Sequence, residues 1–170
     1  MKTIKANNGI EFIVDDEDYD YLSQFNWSAV NCVSKVYAQG SSGEAYGKLM
    51  HRFILKPTSY YEVDHINQCT TDNRRSNLRL CNHSENLANS PSRGGSSRFK
   101  GVHWVDGKWR SQIGQGKKRI YLGRFSNEET AAMHYDVAAL YLYGDFAYLN
   151  FPDRKSEYLE IITNLEGEFD

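Results

Sequence analysis

The chain has 170 residues, 40% of them apolar and 14% aromatic, which is enough to fold as one ordinary domain or two small ones. No apolar run approaches the roughly 18 to 20 residues of a membrane span, and the amino-terminal MKTIKANNGIEF lacks the apolar stretch of a signal peptide, so we expect a cytoplasmic protein without a membrane partner. The net charge of −2 does not exclude a nucleic-acid partner, because residues 96–152 hold eight Lys or Arg against five Asp or Glu, whereas residues 153–170 hold two against six.

The amino-terminal part of the chain predicts a small β-rich region. Residues 3–14 alternate enough to suggest strands around a turn at Asn8-Gly9. In the following VDDEDYDYLSQFNWS, apolar side chains recur at helical spacing and predict a short helix. Residues 47–55, GKLMHRFIL, are compatible with either a short helix or a strand. The three cysteines form no CxxC pair, which favours free thiols over a disulfide framework or a cysteine-bound zinc.

Two short apolar segments flank a polar run in VDHINQCTTDNRRSNLRLCNHSENLAN, residues 63–89. We expect Val63 to end one strand and residues 77–80 to form a second. A helix follows, for which either Ser84 or Asn82 could be the cap. The predicted order of elements is therefore strand, loop, strand, helix.

This arrangement favours the chemistry of phosphodiester hydrolysis, which needs a base, positive charge for the transition state and help for the leaving oxygen. If the strands pair and the helix packs across them, Asp64 and Asn86 converge as oxygen ligands for one divalent ion, Mg²⁺ or Mn²⁺. His65 beside the ion would activate the water, and Asn77 would hold the loop that orients His65. The side chains that could clamp flanking phosphates are Arg74, Arg75 and Arg79.

The same residues resemble a known family. Asp64-His65, an asparagine twelve positions after the histidine and another twenty-one after it, with DNRRSNLRL between, are similar to the HNH endonucleases in the His-Asn-Asn variant of phage-type homing enzymes. The resemblance extends over roughly residues 10–90 and includes YGKLMHRFILKP, where Arg52 belongs to an HR pair and is a candidate DNA contact. It implies a ββα-metal (His-Me finger) domain that uses one divalent ion. Where many relatives have Gly-Asn, this chain has Gln68-Cys69, which leaves the loop shape open.

A second module follows NSPSRGGSSR, whose composition predicts a linker at residues 91–97. Strand-like runs cover 99–104, 108–114 and 119–125, and a helix capped by Ser126 should bury an apolar stripe against one face of the resulting sheet. The opposite face would be basic with aromatic side chains, which suits a DNA groove but is also compatible with a merely solvated surface.

FKGVHW, GKWRSQI, RIYLGRF, EETAAMHYDVAALYLYG and LNFP resemble, in order, the APETALA2/ethylene-response-factor DNA-binding domain, a three-stranded sheet on one helix. The resemblance implies DNA contacts from this sheet. With the exposed-face residues, the candidate contacts are Lys100, His103, Trp104, Arg110, Gln112, Arg119, Tyr121 and Arg124. His103 stands for a family arginine and Tyr121 for a family tryptophan, so the target sequence of the plant domain does not carry over.

The sequence therefore predicts an α+β protein: a ββα-metal nuclease domain over 1–90 (core about 60–90), a linker at 91–97, a small three-stranded antiparallel sheet packed on one helix over 98–152, and an acidic tail or short helix at 153–170. The predicted function is that of a metal-dependent DNA endonuclease from a phage or mobile element, acting on double-stranded DNA as a monomer in the cytoplasm of a bacterial host. The alternatives are a DNA-binding regulator with an inactive HNH domain and a restriction or packaging nuclease.

Overall fold

The computed structural model describes residues 1–32 and 35–167. The chain divides into two compact units, Met1–Asn86 and Leu87–Asp170. Helices hold 36% and strands 31% of the structure, and the sheets between named strands are antiparallel, so the predicted α+β class is confirmed. In the described part of the chain, we find no helix that combines the length and apolar character needed to cross a membrane.

In the described residues of the first unit, three two-stranded hairpins are joined with three short α-helices. Its elements are β1 (Lys2–Lys5), β2 (Glu11–Val14), α1 (Asp16–Leu22), β3 (Trp27–Cys32), β4 (Lys35–Gly40), α2 (Met50–Leu55), β5 (Glu62–His65), β6 (Leu78–Cys81) and most of α3 (His83–Ala88), whose last two residues belong to the second unit. The turn at Asn8-Gly9 is confirmed, and Gly9 has a positive φ of 88° there. The ambiguous 47–55 segment contains the helix α2, and the β3–β4 hairpin was not predicted as a separate element.

The core of the first unit is built from the inward faces of β1, β2 and β3 and from α1 and α2. Phe12 and Val14 are fully buried two residues apart on β2, as the alternation of a half-buried strand requires. Trp27 is buried as well, and its Nε1 donates a hydrogen bond of 2.9 Å to the carbonyl oxygen of Leu22. This core supports β5 and β6, because Val63 and Leu78 belong to the same cluster.

The strand, loop, strand, helix order predicted for residues 63–89 is present. β5 pairs with β6 and places Asp64 opposite Arg79 and His65 opposite Leu78, so the first strand continues through His65 and does not end at Val63. Asp64 and His65 belong to the strand because both pair with residues of β6.

The cap of α3 is Asn82, which resolves the two alternatives left open by the sequence. The Asn82 side chain accepts a hydrogen bond of 3.0 Å from the backbone N–H of Glu85, and the Glu85 carboxylate accepts one of 2.7 Å from the N–H of Asn82. This reciprocal pair is a capping box, which satisfies two donors at the helix start.

The second unit contains a three-stranded antiparallel sheet in the order β7-β8-β9 and two helices. Its elements are β7 (Val102–Val105), β8 (Lys108–Gln115), β9 (Lys118–Phe125), α4 (Glu128–Tyr143) and α5 (Lys155–Gly167). Buried Ala131, Ala132 and Ala139 of α4 pack against the sheet, which confirms the predicted sheet on one helix. The cap of α4 is Asn127 and not Ser126, since the Asn127 side chain accepts from the N–H of Thr130 at 2.9 Å.

Two regions of this unit differ in detail from the sequence expectation. Ser96 and Ser97, assigned to the linker, are hydrogen-bonded within the second unit: Ser96 accepts from the N–H of Trp104 at 2.8 Å, and Ser97 donates to Glu128 at 2.7 Å. The 153–170 segment forms the helix α5, which contacts α4 and buries Tyr158. Residues 168–170 of that prediction lie outside the described residues.

Candidate active site and nucleic-acid interface

Three of the predicted active-site residues line one cleft of the first unit. Asp64 and His65 come from β5 and Asn86 from α3, and the cleft has a volume of about 530 Å³. Asp64 and His65 are only 6% and 5% exposed. The hairpin and the helix thus bring an acid, an imidazole and an amide to one place, although Asn86 lies twenty-one residues after His65.

The His65 ring is surrounded by polar and aromatic groups. Its Nε2 lies 3.4 Å from Oδ1 of Asn73, and the ring centroids of His51 and Tyr37 lie 4.9 and 6.2 Å from its own. Burial lowers the pKa of His65 below the ordinary value, although Asn73 and the carboxylate of Asp64 oppose this shift. The ring is therefore neutral at pH 7, the form that can accept a proton.

Asn77 lies outside the cleft lining and holds the loop that follows His65. Its Oδ1 accepts from the N–H of Asn67 at 2.9 Å, its Nδ2 donates to the carbonyl of Asp72 at 2.8 Å, and its backbone carbonyl accepts from the N–H of Ile66 at 2.9 Å. These bonds fix both sides of the loop after β5. The geometry suits the orienting role expected of Asn77.

The loop after His65 includes the position where this chain departs from the related pattern. Gln68 has a φ of 63°, in the left-handed region that favours glycine. Its backbone N–H donates to the carbonyl of His65 at 2.9 Å, and the N–H of Cys69 donates to Oδ1 of Asn67 at 2.8 Å. These bonds hold Gln68 in the conformation that glycine would adopt more easily.

Sequence reasoning missed Glu62, which also lines the cleft. Its carboxylate accepts a hydrogen bond from Nδ2 of Asn86 at 2.5 Å and lies 2.9 Å from Nδ1 of His83. The bond from Asn86 is the largest cause that lowers the pKa of Glu62, and His83 adds to it. Glu62 stands two residues before Asp64 on β5, so strand alternation places both side chains on one face, a signal that could have identified it.

Asp64 and Asn86 fit a hard divalent cation, since a carboxylate and an amide that carry oxygen ligands both line the same cleft and Glu62 accepts a hydrogen bond from Nδ2 of the amide. Asp64 also accepts from Nε and Nη2 of Arg79 at 2.9 and 2.8 Å through its Oδ2. Among residues 1–32 and 35–167, a group of three carboxylates close enough together to hold a metal ion lies at the start of α1 and consists of Asp15, Glu17 and Asp18. Two of these carboxylates, Asp15 and Asp18, accept hydrogen bonds from Arg75.

The three arginines predicted to clamp phosphates are all paired with carboxylates. Arg74 binds Asp72 through Nε and Nη2 at 2.7 and 2.6 Å, and Arg75 binds Asp18 at 2.8 and 2.7 Å. With the Arg79 pair, these contacts give each guanidinium a role within the unit, and a phosphate contact by any of them stays a prediction. Arg52 differs, because it lines the cleft.

In the second unit, strand pairing aligns most of the predicted DNA contacts in cross-strand rows. His103 lies opposite Arg110, Arg110 opposite Arg124, and Gln112 opposite Tyr121, while Arg119 pairs with Gly114 near the start of β9. Burial together with the charges of Arg110 and Arg119 lowers the pKa of His103. The face of the sheet away from α4 is therefore electropositive.

Two predicted contacts lie elsewhere. Trp104 alternates with His103 on β7, so it lies on the opposite face, where its ring packs 4.8 Å from that of Trp109. Lys100 precedes β7, and its Nζ donates to the carbonyls of Leu87 and Ala88 at 3.0 and 2.6 Å. For Lys100 and Trp104, a DNA contact stays a prediction that this geometry does not favour.

Comparison with known proteins bears on both units. Residues 56–88 match the family model of the HNH endonucleases. The match contains β5, β6 and α3, the elements that supply Asp64, His65 and Asn86 to the cleft. The matched segment is therefore the part of the chain that brings Asp64, His65 and Asn86 together in the cleft.

A C-terminal region of the chain is similar to plant AP2/ERF-type proteins. The ethylene-responsive transcription factors ERF025 and ERF026 of Arabidopsis thaliana are 44% identical over 73 residues and 45% identical over 62, which cover 42% and 35% of this chain and 32% and 25% of the relatives. The AP2-like ethylene-responsive transcription factor PLT2 of the same plant is 46% identical over 61 residues, 34% of this chain and 11% of that protein. The chain thus spans about a third or less of these relatives. The two similarities support a DNA-binding role.

Proposed function

We propose that the protein is a metal-dependent DNA endonuclease that cuts with the cleft of the first unit and recognises double-stranded DNA with the sheet of the second. The observation that carries the proposal is the convergence of Asp64, His65 and Asn86 on one cleft, with a neutral imidazole as the base. The HNH match over residues 56–88 supports the same reading. Hydrolysis of a phosphodiester bond is the reaction that this donor set serves.

In the proposed mechanism, His65 takes the proton of the attacking water. Its Nε2 lies 3.4 Å from the Asn73 oxygen, a contact that helps to fix the orientation of the ring. Asn77 keeps the following loop in place, and Asp64 and Asn86 would hold the cation. A bound Mg²⁺ or Mn²⁺ would supply positive charge to the phosphate and the departing oxygen.

The setting we propose is a phage or mobile-element homing endonuclease acting in the cytoplasm of a bacterial host. The support is the pairing of an HNH site with a separate DNA-binding sheet, because two linked modules gain affinity for a long site through effective concentration. One active site in a monomer would nick one strand per binding event. A restriction or packaging nuclease would use the same chemistry on shorter or less specific sites.

The test is conversion of supercoiled DNA to nicked and linear forms with Mg²⁺ or Mn²⁺. We expect wild-type protein to cut and His65→Ala to lose at least about 10²-fold in rate, the usual contribution of a general base. The matched control is His134→Ala, an exposed histidine on α4, which should cut like wild type.

A second function is favoured by the names of the relatives, which are transcription factors. A DNA-binding regulator with an inactive HNH site would bind DNA, and neither wild type nor His65→Ala would cut any substrate with either metal. That outcome would replace the nuclease proposal with the regulatory one.

A further inference from the structure

The cleft has a second wall that the HNH pattern does not include. β4 contributes Lys35, Tyr37 and Gln39 to it, which are spaced two residues apart and therefore share one face of the strand. The Tyr37 ring lies 6.2 Å from that of His65 between centroids, so this face of β4 looks onto the candidate base. The β3–β4 hairpin is thus part of the site and not only of the core.

Positive charge in the cleft comes from this wall and from α2. Among the described residues, the lysine and the arginine that line the cleft are Lys35 and Arg52. Neither has an ion pair with a described residue, whereas Arg74, Arg75 and Arg79 lie in carboxylate pairs. Lys35 is half-buried, and its charge contributes to lowering the pKa of His65, which is consistent with its place beside that ring.

A DNA strand that enters the cleft brings a negatively charged phosphate close to the carboxylates of Glu62 and Asp64. A positively charged side chain of the protein is needed to offset this repulsion. Lys35 stands two residues from Tyr37, roughly 7 Å along the strand, which is the right order of distance for a phosphate neighbouring the one at His65. Lysine suits this task because its ammonium is a compact charge on a flexible stem.

We propose that Lys35, on the β3–β4 hairpin, binds a phosphate of the nucleic-acid backbone next to the scissile bond, with Arg52 of α2 as a second cation in the cleft. The inference rests on the proposed nuclease function. It moves the phosphate contacts of the active site from the loop arginines to a hairpin outside the segment that matches the HNH family.

The first test compares Lys35→Gln, Lys35→Arg and the matched control Lys5→Gln, an exposed lysine on β1. The measurements are the binding of a labelled duplex and its single-turnover cleavage at several salt concentrations. We expect Lys35→Gln to bind and cut roughly tenfold less well at subsaturating DNA, and the slope of log affinity against log salt to fall by about one, the signature of one lost phosphate contact. Lys35→Arg keeps the charge and should remain close to wild type.

A photoreactive amino acid at position 35 gives a second readout that does not depend on cutting. We expect it to cross-link to nucleotides next to the nick, and the same group at position 5 to give no such adduct. Equal behaviour of Lys35→Gln and Lys5→Gln in slope and rate, or no cross-link from position 35, would overturn the inference. If wild type binds DNA and never cuts it, the nuclease function fails, while the salt slope and the cross-link still decide whether Lys35 binds a phosphate.

Discussion

Lys100 is a predicted DNA contact whose ammonium group is hydrogen-bonded within the protein. It donates to the carbonyls of Leu87 and Ala88, at the carboxyl end of α3, where unpaired carbonyls and the helix dipole favour a cation. Burial lowers the pKa of Lys100 to about 8, and the nearby Arg93 contributes to the same shift. The sequence pattern placed this side chain toward DNA, but its contacts lie inside the second unit.

This shift predicts a pH dependence of stability. Because the pKa of Lys100 is about 8 in the folded protein and 10.5 ordinarily, the unfolded chain binds more protons between these values, and the contribution of Lys100 to the free energy of unfolding rises with pH across that range. Urea unfolding followed by tryptophan fluorescence at pH 7.5 and 9.5 measures the change. Lys100→Met should lose this increment, whereas the exposed control Lys108→Met should keep it. An identical pH response in wild type and Lys100→Met would contradict the prediction.

At the scale of elements, Gly101 lies directly before β7 and close to Tyr135 of α4. It has a φ of 77°, and a Cβ at this position would lie 1.9 Å from the Tyr135 ring and 2.7 Å from the Gln112 carbonyl oxygen. Gly107, in the β7–β8 turn, has a similar φ of 75° but nothing within 4 Å of such an atom. A side chain at either position would strain the backbone, but only a side chain at Gly101 would also overlap with neighbouring atoms. Comparing the two positions therefore distinguishes the cost of backbone strain from the cost of steric overlap.

We predict that Gly101→Ala destabilises the protein by more than about 3 kcal/mol, since overpacking against a buried ring adds to the cost of a left-handed backbone. Gly107→Ala should cost only about 1 kcal/mol, the backbone strain alone. Urea titration of both variants gives the two free energies. Similar losses in the two variants would mean that the Tyr135 ring moves away at little cost.

The elements that the sequence predicts best are those with a clear period and a turn signal. The β1–β2 hairpin, β8, β9 and α4 lie close to their predicted bounds, because alternation and helical spacing are local properties, whereas β7 begins at Val102 and not at residue 99. The β3–β4 hairpin was not predicted as separate strands, although it supplies one wall of the cleft. The convergence of Asp64 and Asn86 could be expected only from a strand pairing and a recognised pattern.

Ion pairs could not be predicted in the same way, since their partners are distant in the chain. Arg75 pairs with Asp18, fifty-seven residues earlier, and that contact exists because the loop before β6 pairs with β2, the strand that precedes α1. A run of arginines in a polar loop reads equally well as a phosphate clamp and as a set of carboxylate partners. In this structure the three arginines are paired with carboxylates, and a phosphate contact by any of them stays a prediction.

At the scale of the whole molecule, the net charge of −2 is distributed unevenly along the chain. The basic side chains of the β7-β8-β9 sheet lie in cross-strand rows, and the acidic excess falls in the segment that contains α5. A protein whose average charge is slightly negative can therefore still present a positive face to DNA. Under the proposed function, recognition and chemistry use different units and should respond independently to substitution.

We therefore predict separable losses for Arg119→Gln on the sheet and His65→Ala in the cleft. Arg119→Gln should weaken duplex binding roughly tenfold, as expected for one lost phosphate or base contact, and leave the single-turnover rate at saturating DNA unchanged. His65→Ala should reduce that rate and leave affinity nearly unchanged. Because the two residues lie in different units, the double variant should combine both losses without coupling. A lower saturated rate in Arg119→Gln alone would instead show that the sheet takes part in positioning the scissile phosphate.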